Sequence, residues 1–129
     1  MRAILVCGSR NWEDREAIRR ELFPGDFLEW PDIVIQGGAE GADRIASLES
    51  ACVLGAKGVG IIEMPAQWNK HGRSAGPKRN AQMLRVLLAL GECGYSVSVL
   101  AFPIGESRGT RGMIAMAEKA GVDVRVIEG

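Results

Sequence analysis

Four glycine-bearing turns, each standing where an apolar run gives way to a helical pattern, constrain this chain more than any other feature. They read Gly8-Ser9-Arg10, Gly37-Gly38-Ala39-Glu40-Gly41-Ala42-Asp43, Gly76-Pro77-Lys78-Arg79-Asn80 and Ser107-Arg108-Gly109-Thr110-Arg111-Gly112. The run before the first turn, residues 3–7, is continuously apolar, as in a strand buried on both faces. Further strands are expected over 32–36, 59–64, 96–102 and 122–127, the last with the alternation of an edge strand. Between them the spacing predicts helices over about 13–22 and 77–90, and one carrying Ile45, Leu48 and Cys52 on a single face. Thr110 is the expected cap of a last helix that buries Met113, Ile114 and Ala117 and stops at Gly121.

Strands alternating with helices in this way predict one α/β domain over residues 1–129. The expected architecture is a three-layer, Rossmann-like parallel sheet of about five strands with helices on both faces. The expected strand order is 3-2-1-4-5, with a crevice between strands one and four, where such sheets bind ligands. All four turns would then lie on one edge, at the carboxyl ends of the strands. Helix starts there offer unpaired N–H groups and partial positive charge, which suit phosphate, and glycine lets backbone approach a ligand closely. A loop over residues 66–75, longer than the usual strand-to-helix connection, is a candidate binding loop.

Composition sets limits on partners. The chain has 129 residues, 47% of them hydrophobic and 25% charged, with 16 basic and 16 acidic residues, so it is not a polycation. Between Met64 and Gly91, however, Lys70, Arg73, Lys78, Arg79 and Arg85 occur with no carboxylate, which favours an anionic ligand or simply makes a solvated basic face. Cys7 and Cys52 are expected as buried small hydrophobes, and with no CxxC pair and only His71 as histidine, no metal or other cofactor is expected. No apolar stretch approaches the roughly 20 residues of a membrane span, and Met1-Arg2 runs directly into a core strand, so a cytoplasmic protein is expected.

The familiar nucleotide signatures are missing. One glycine after the first strand is not a GxGxxG fingerprint, no GxxxxGK[ST] occurs, and no GxSxG elbow supports a serine hydrolase. Candidate residues come from the turns themselves. Gly37, Gly38, Gly41 and Ala42 leave a bare backbone at a helix start, in whose first turn Asp43 either complements the helix dipole or meets a ribose hydroxyl or water. Leu84, Leu87 and Leu88 mark a buried face that Asn80 shares, so Asn80 should point inward over the crevice, with a ligand or a loop as its partner. Arg79, about 100° round, should flank the same mouth, where it could pair with phosphate. Trp68 either stacks on a base or packs on the sheet edge, and Ser107, Arg108, Gly109 and Thr110 make an anion cup or an ordinary capped start.

Taken together these residues resemble the SLOG superfamily of Rossmann-like proteins, named for the Smf/DprA and Lonely Guy groups, and most of all its YspA-like branch. The resemblance rests on Gly8-Ser9-Arg10, Gly37-Gly38-Ala39-x-Gly41-Ala42-Asp43, Trp68, Ala75-Gly76-Pro77-x-Arg79-Asn80-x-x-Met83, Ala101-Phe102 and Ser107-Arg108-Gly109-Thr110. It implies a nucleotide or nucleotide-derived ligand, ADP-ribose or a nucleoside phosphate among them, and carries an expectation of homo-oligomers. Lonely Guy proteins are phosphoribohydrolases whose signature joins an arginine to a PGGxGTxxE loop. Arg79 matches that arginine and Gly109-Thr110 the GT pair, but Met113 stands where the signature has its acid/base glutamate. The resemblance therefore does not carry cytokinin-type hydrolysis to this chain.

Three functions follow as expectations. The first is binding, for sensing or processing, of such a ligand through Gly8, Ser9, Arg10 and the residues named above. The second is an N-glycosidase or phosphoribohydrolase with Asp43 and Arg79 as candidate catalytic residues and Glu40 or Glu106 as substitutes for the carboxylate. The third is single-stranded nucleic-acid binding in the manner of DprA, which zero net charge and one nearby aromatic make the least expected.

Overall fold

Apolar β-prone runs that end in glycine can do little but form buried parallel strands, and the computed structural model, which describes residues 1–129, shows them doing so. The strands are β1 (Arg2–Gly8), β2 (Ile33–Gln36), β3 (Gly60–Glu63), β4 (Ser96–Phe102) and β5 (Asp123–Val126). They form one five-stranded sheet in the order β3-β2-β1-β4-β5, every pair parallel. The expected architecture and order hold. The register opposes Gly8 to Phe102, so β1 and β4 end level, with the chain's direction of travel across the sheet reversing between them.

The helices are α1 (Arg15–Leu22), α2 (Ala42–Cys52), α3 (Trp68–His71), α4 (Ala75–Glu92) and α5 (Arg108–Lys119). Asp14 caps α1, its side chain accepting the Ala17 N–H at 3.1 Å. On one face α1 and α2 bury Ile18, Leu22 and Ala46 against Val6, Val34 and Phe102; on the other α4 and α5 bury Met83, Leu87 and Met113 against Leu5, Ile35 and Val99. Each fully buried Leu or Ile contributes on the order of 2 kcal/mol, so the two layers hold the strand ends firmly under the site. No helix is long and apolar enough to cross a membrane.

Local expectations fail in three places. The buried positions of α2 are Ala42, Asp43, Ile45, Ala46, Glu49 and Ser50, while Leu48 and Cys52 are exposed. The helix turns Ala42, Ala46 and Ser50 inward beside Ile45, so its backbone lies close to the sheet, and Leu48 and Cys52 are left outside. Glu49, although buried, is held by Arg15 at 2.9 Å. Residues 66–75 are not an open loop: α3 and a 3-10 turn at Gly72–Ser74 fill them, and α4 begins at Ala75 rather than Pro77. Nor does Thr110 cap α5. It lies inside the helix, buried, and Ser107 occupies the cap position.

Candidate functional site

The level ends of β1 and β4 set the floor of a cavity of about 520 Å³. Ser9 ties the loop after β1 to β4, its N–H donating to the Phe102 carbonyl at 2.9 Å. Gly8 is required there, because a Cβ would come within 2.5 Å of the Ala42 side chain and 2.8 Å of the Phe102 oxygen. The walls are Gly8, Ser9 and Arg10 on one side, Trp68, Arg79 and Asn80 on another, and Ser107, Arg108, Gly109 and Thr110 opposite, with Asp43 below. These expected residues therefore come together. Cys7, Asn11, Ala39, Gly76, Pro77 and Met83 also line the cavity and were not singled out as site residues. Gly76-Pro77 stood in a flagged turn and Met83 lies one helical turn beyond Asn80, so part of that signal was present.

At the start of α5 the backbone is left open. Arg111 donates to the Ser107 carbonyl at 2.9 Å, but the N–H groups of Arg108, Gly109 and Thr110 find no acceptor within the protein. Ser107 is the lone non-glycine residue with positive φ, at 38°. Its hydroxyl hydrogen-bonds to the Thr110 hydroxyl at 3.0 Å instead of capping an amide. Strain of this kind costs on the order of 1–3 kcal/mol and collects at functional sites. Arg108 is exposed, and neither it nor Arg10 joins an ion pair. The Arg10 guanidinium instead lies 5.5 Å from the centre of the Trp68 ring, whose edge packs on Gly76.

The corner formed by residues 37–43 is closed. The Gly37 and Ala39 N–H groups donate to Asp43 Oδ2 at 3.1 and 3.3 Å, and the Gly38 N–H donates to Gln36 Oε1. Gln36, fully buried, donates in turn to Ser47 and Glu63. The amides expected to seat phosphate are thus consumed by the protein's own side chains. Gly37, Gly38, Gly41 and Ala42 do not reach this cavity, although Gly37 and Gly38 line an adjoining one of about 340 Å³ with Arg10, Trp68 and Arg79. Gly41 (φ 77°) serves packing: a Cβ would stand 2.3 Å from the Ser9 oxygen.

Arg79 is likewise committed. Nη1 donates to the Gly37 carbonyl at 2.7 Å and the Met64 carbonyl at 3.3 Å, and Nε to Asn80 Oδ1 at 2.9 Å. Asn80 passes the chain on, its Nδ2 donating to the Gly109 carbonyl at 3.3 Å. Arg79 is a strut joining the loops after β2 and β3, with only Nη2 left without a protein acceptor, and Asn80 takes its partners from that strut and from α5. A Cβ on Gly37 would stand 2.2 Å from Arg79 Nη1, so a side chain there would displace the guanidinium from its carbonyl partners.

Burial raises the Asp43 pKa from 3.8 to about 6, against the opposing pull of the Ala39 N–H, the Arg79 charge and the Gly37 N–H. Burial and then the Asp43 charge push the Cys7 thiol far up, so it is an inert wall of the cavity. Glu40, Glu106 and His71 lie outside the cavity. The arrangement can hold an anion at the α5 amides and an aromatic group at Trp68, beside one poised carboxylate.

An all-parallel sheet that reverses its order beneath an open helix start defines a Rossmann-like α/β protein. Within that class, the chain belongs to the YspA, cpYpsA-related SLOG family, whose profile matches residues 2–71. It is 38% identical over 132 residues to the Gene 61 protein of Mycobacterium phage D29, an overlap covering 96% of this chain and 94% of that protein. No solved structure matches it. The family match contains the closed glycine corner and Trp68 but ends before the open start of α5.

Proposed function

We propose that this protein binds a nucleotide or nucleotide-derived ligand, such as a nucleoside phosphate or ADP-ribose, in the cavity over β1 and β4. Family membership is compatible with such a ligand. The observation that carries the reading is the first turn of α5, whose unpaired N–H groups face a cavity bordered by the unpaired Arg10 and Arg108. Phosphate would sit on those amides, Arg108 beside it, with a base on Trp68 in exchange for Arg10. Gly8 and Ser9 offer backbone, and Asn80 holds the α5 wall in place. Isothermal titration with the nucleoside monophosphates and ADP-ribose tests this. Saturable binding of at least one, weakened about tenfold in Arg108→Ala (roughly 1.4 kcal/mol), is expected; no binding by any would overturn it.

One observation favours a second reading, hydrolysis of an N-glycosidic bond. A carboxylate of pKa about 6 lining a nucleotide-sized cavity is suited to general acid–base work near neutrality. Release of free base from a nucleotide, abolished in Asp43→Asn, is the expected result, and intact nucleotide after prolonged incubation would remove this reading.

A further inference from the structure

Asp43 has one oxygen that the protein does not use. Oδ2 takes both loop amides, whereas no protein donor reaches Oδ1. The residue is only 6% exposed, yet no fully buried side-chain oxygen in the structure lacks a partner. Oδ1 therefore opens into the one cavity that Asp43 lines. It is the sole carboxylate there, among Arg10, Arg79 and Arg108. A desolvated carboxylate oxygen without a donor costs about 1–3 kcal/mol or more, so a ligand that supplies O–H groups is favoured over one that does not.

The position says which part of the ligand that is. The chain Gly109–Asn80–Arg79–Gly37 links the open amides to the loop that holds Asp43. Trp68, at 47% exposure, stands at the rim, while Asp43 lies at depth. With phosphate on α5 and a base at the rim, the group between them is the pentose. We infer that Asp43 Oδ1 accepts hydrogen bonds from the ribose hydroxyls of the ligand, so that the site selects ribonucleotides over 2′-deoxy or 3′-deoxyribonucleotides. This rests on the nucleotide reading for the base and on the α5 amides for the phosphate. A site built to pair a hydroxyl rejects the analogue lacking it, because its own polar group is then stranded.

The test is titration of ribonucleoside monophosphates against their 2′-deoxy and 3′-deoxy forms at pH 7.5. A parallel series uses ribose 5-phosphate and 2-deoxyribose 5-phosphate. At least tenfold tighter binding of the ribo form over one deoxy form is expected. In Asp43→Asn the amide oxygen still accepts from Gly37 and Ala39, but a neutral NH₂ faces the cavity, and the preference should shrink to about threefold or less. Equal binding of ribo and deoxy ligands by the unaltered protein overturns the inference, as does a preference that survives Asp43→Asn in full. Discrimination among the sugar phosphates with no nucleotide bound would sink the nucleotide reading and leave this inference standing. Failure of every ligand to bind sinks both.

Discussion

The two glycine-bearing turns that follow β2 and β4 both lead into a helix and have opposite fates. Residues 37–43 carry more glycine, yet Asp43, Gln36 and Arg79 fill that corner and take its amides. Residues 107–110 carry a single glycine, yet the amides of Arg108, Gly109 and Thr110 remain open to the cavity. Glycine at the first corner makes room for the protein itself. At the second it leaves room for something else. The number of glycines in a turn therefore says that close approach occurs there, not what approaches.

The sharpest way to break this contrast is to add one methyl group to each corner. Gly41→Ala puts a Cβ 2.3 Å from the Ser9 oxygen and 2.6 Å from the Arg10 carbonyl, on a backbone of φ 77°. Because only backbone could yield, urea denaturation should show a loss of about 4 kcal/mol, the sum of strain and overpacking. At Gly109 a Cβ meets nothing within 4 Å. Gly109→Ala should fold with stability unchanged within about 0.5 kcal/mol, or slightly improved by helix propensity. Equal losses at both corners would show that the distinction is false.

The arginines extend the comparison at a smaller scale. Arg79→Ala strands the Gly37 and Met64 carbonyls and the Asn80 side chain, and should cost about 3 kcal/mol. Arg108→Ala, at an exposed position, should leave the denaturation midpoint in place while weakening ligand. A destabilised Arg108 variant, or an Arg79 variant of native stability, would reverse the assignments of strut and free cation.

An effect of similar size to that at Arg79 concerns the charge that closes the first corner. Asp43 has a folded pKa of about 6 against an ordinary 3.8, so between those values the folded state holds more proton than the unfolded. Stability from this group is complete below about pH 4 and is lost as pH rises through 6, by about 3 kcal/mol. Asp32 runs the other way: the Arg2 N–H lowers its pKa, and its contribution fades in acid. The readout is therefore the difference between Asp43→Asn and the unaltered protein. The variant should be about 3 kcal/mol more stable at pH 7 and nearly equal near pH 4; a constant difference across that range would refute the buried-carboxylate argument.

Much of the molecule was legible from the chain alone. Apolar runs stopped by glycine gave strands because a segment buried on both faces has no polar side to show. Alternation with helices left few topologies once right-handed crossovers were imposed, and Leu84 and Leu87 placed Asn80 inward by helical period. The reading of α2 held for Ile45, which is buried, and failed for Leu48 and Cys52, which are exposed while Ala46, Glu49 and Ser50 are buried in their place. Hydropathy rewards large apolar residues, but a helix lying close on a sheet needs small ones. Residues 66–75 were misread because turn-forming residues within them belong to short helices that no single periodic signal marks.

The sequence by itself determined the sheet, its strand order and the edge on which the glycine turns gather, since those follow from local periodicity, chain connectivity and handedness. Which amides stay free, and whether an arginine is a strut or an open charge, only the tertiary structure decided. Those outcomes depend on partners 42 residues apart, such as Arg79 and Gly37, whose meeting no local pattern encodes.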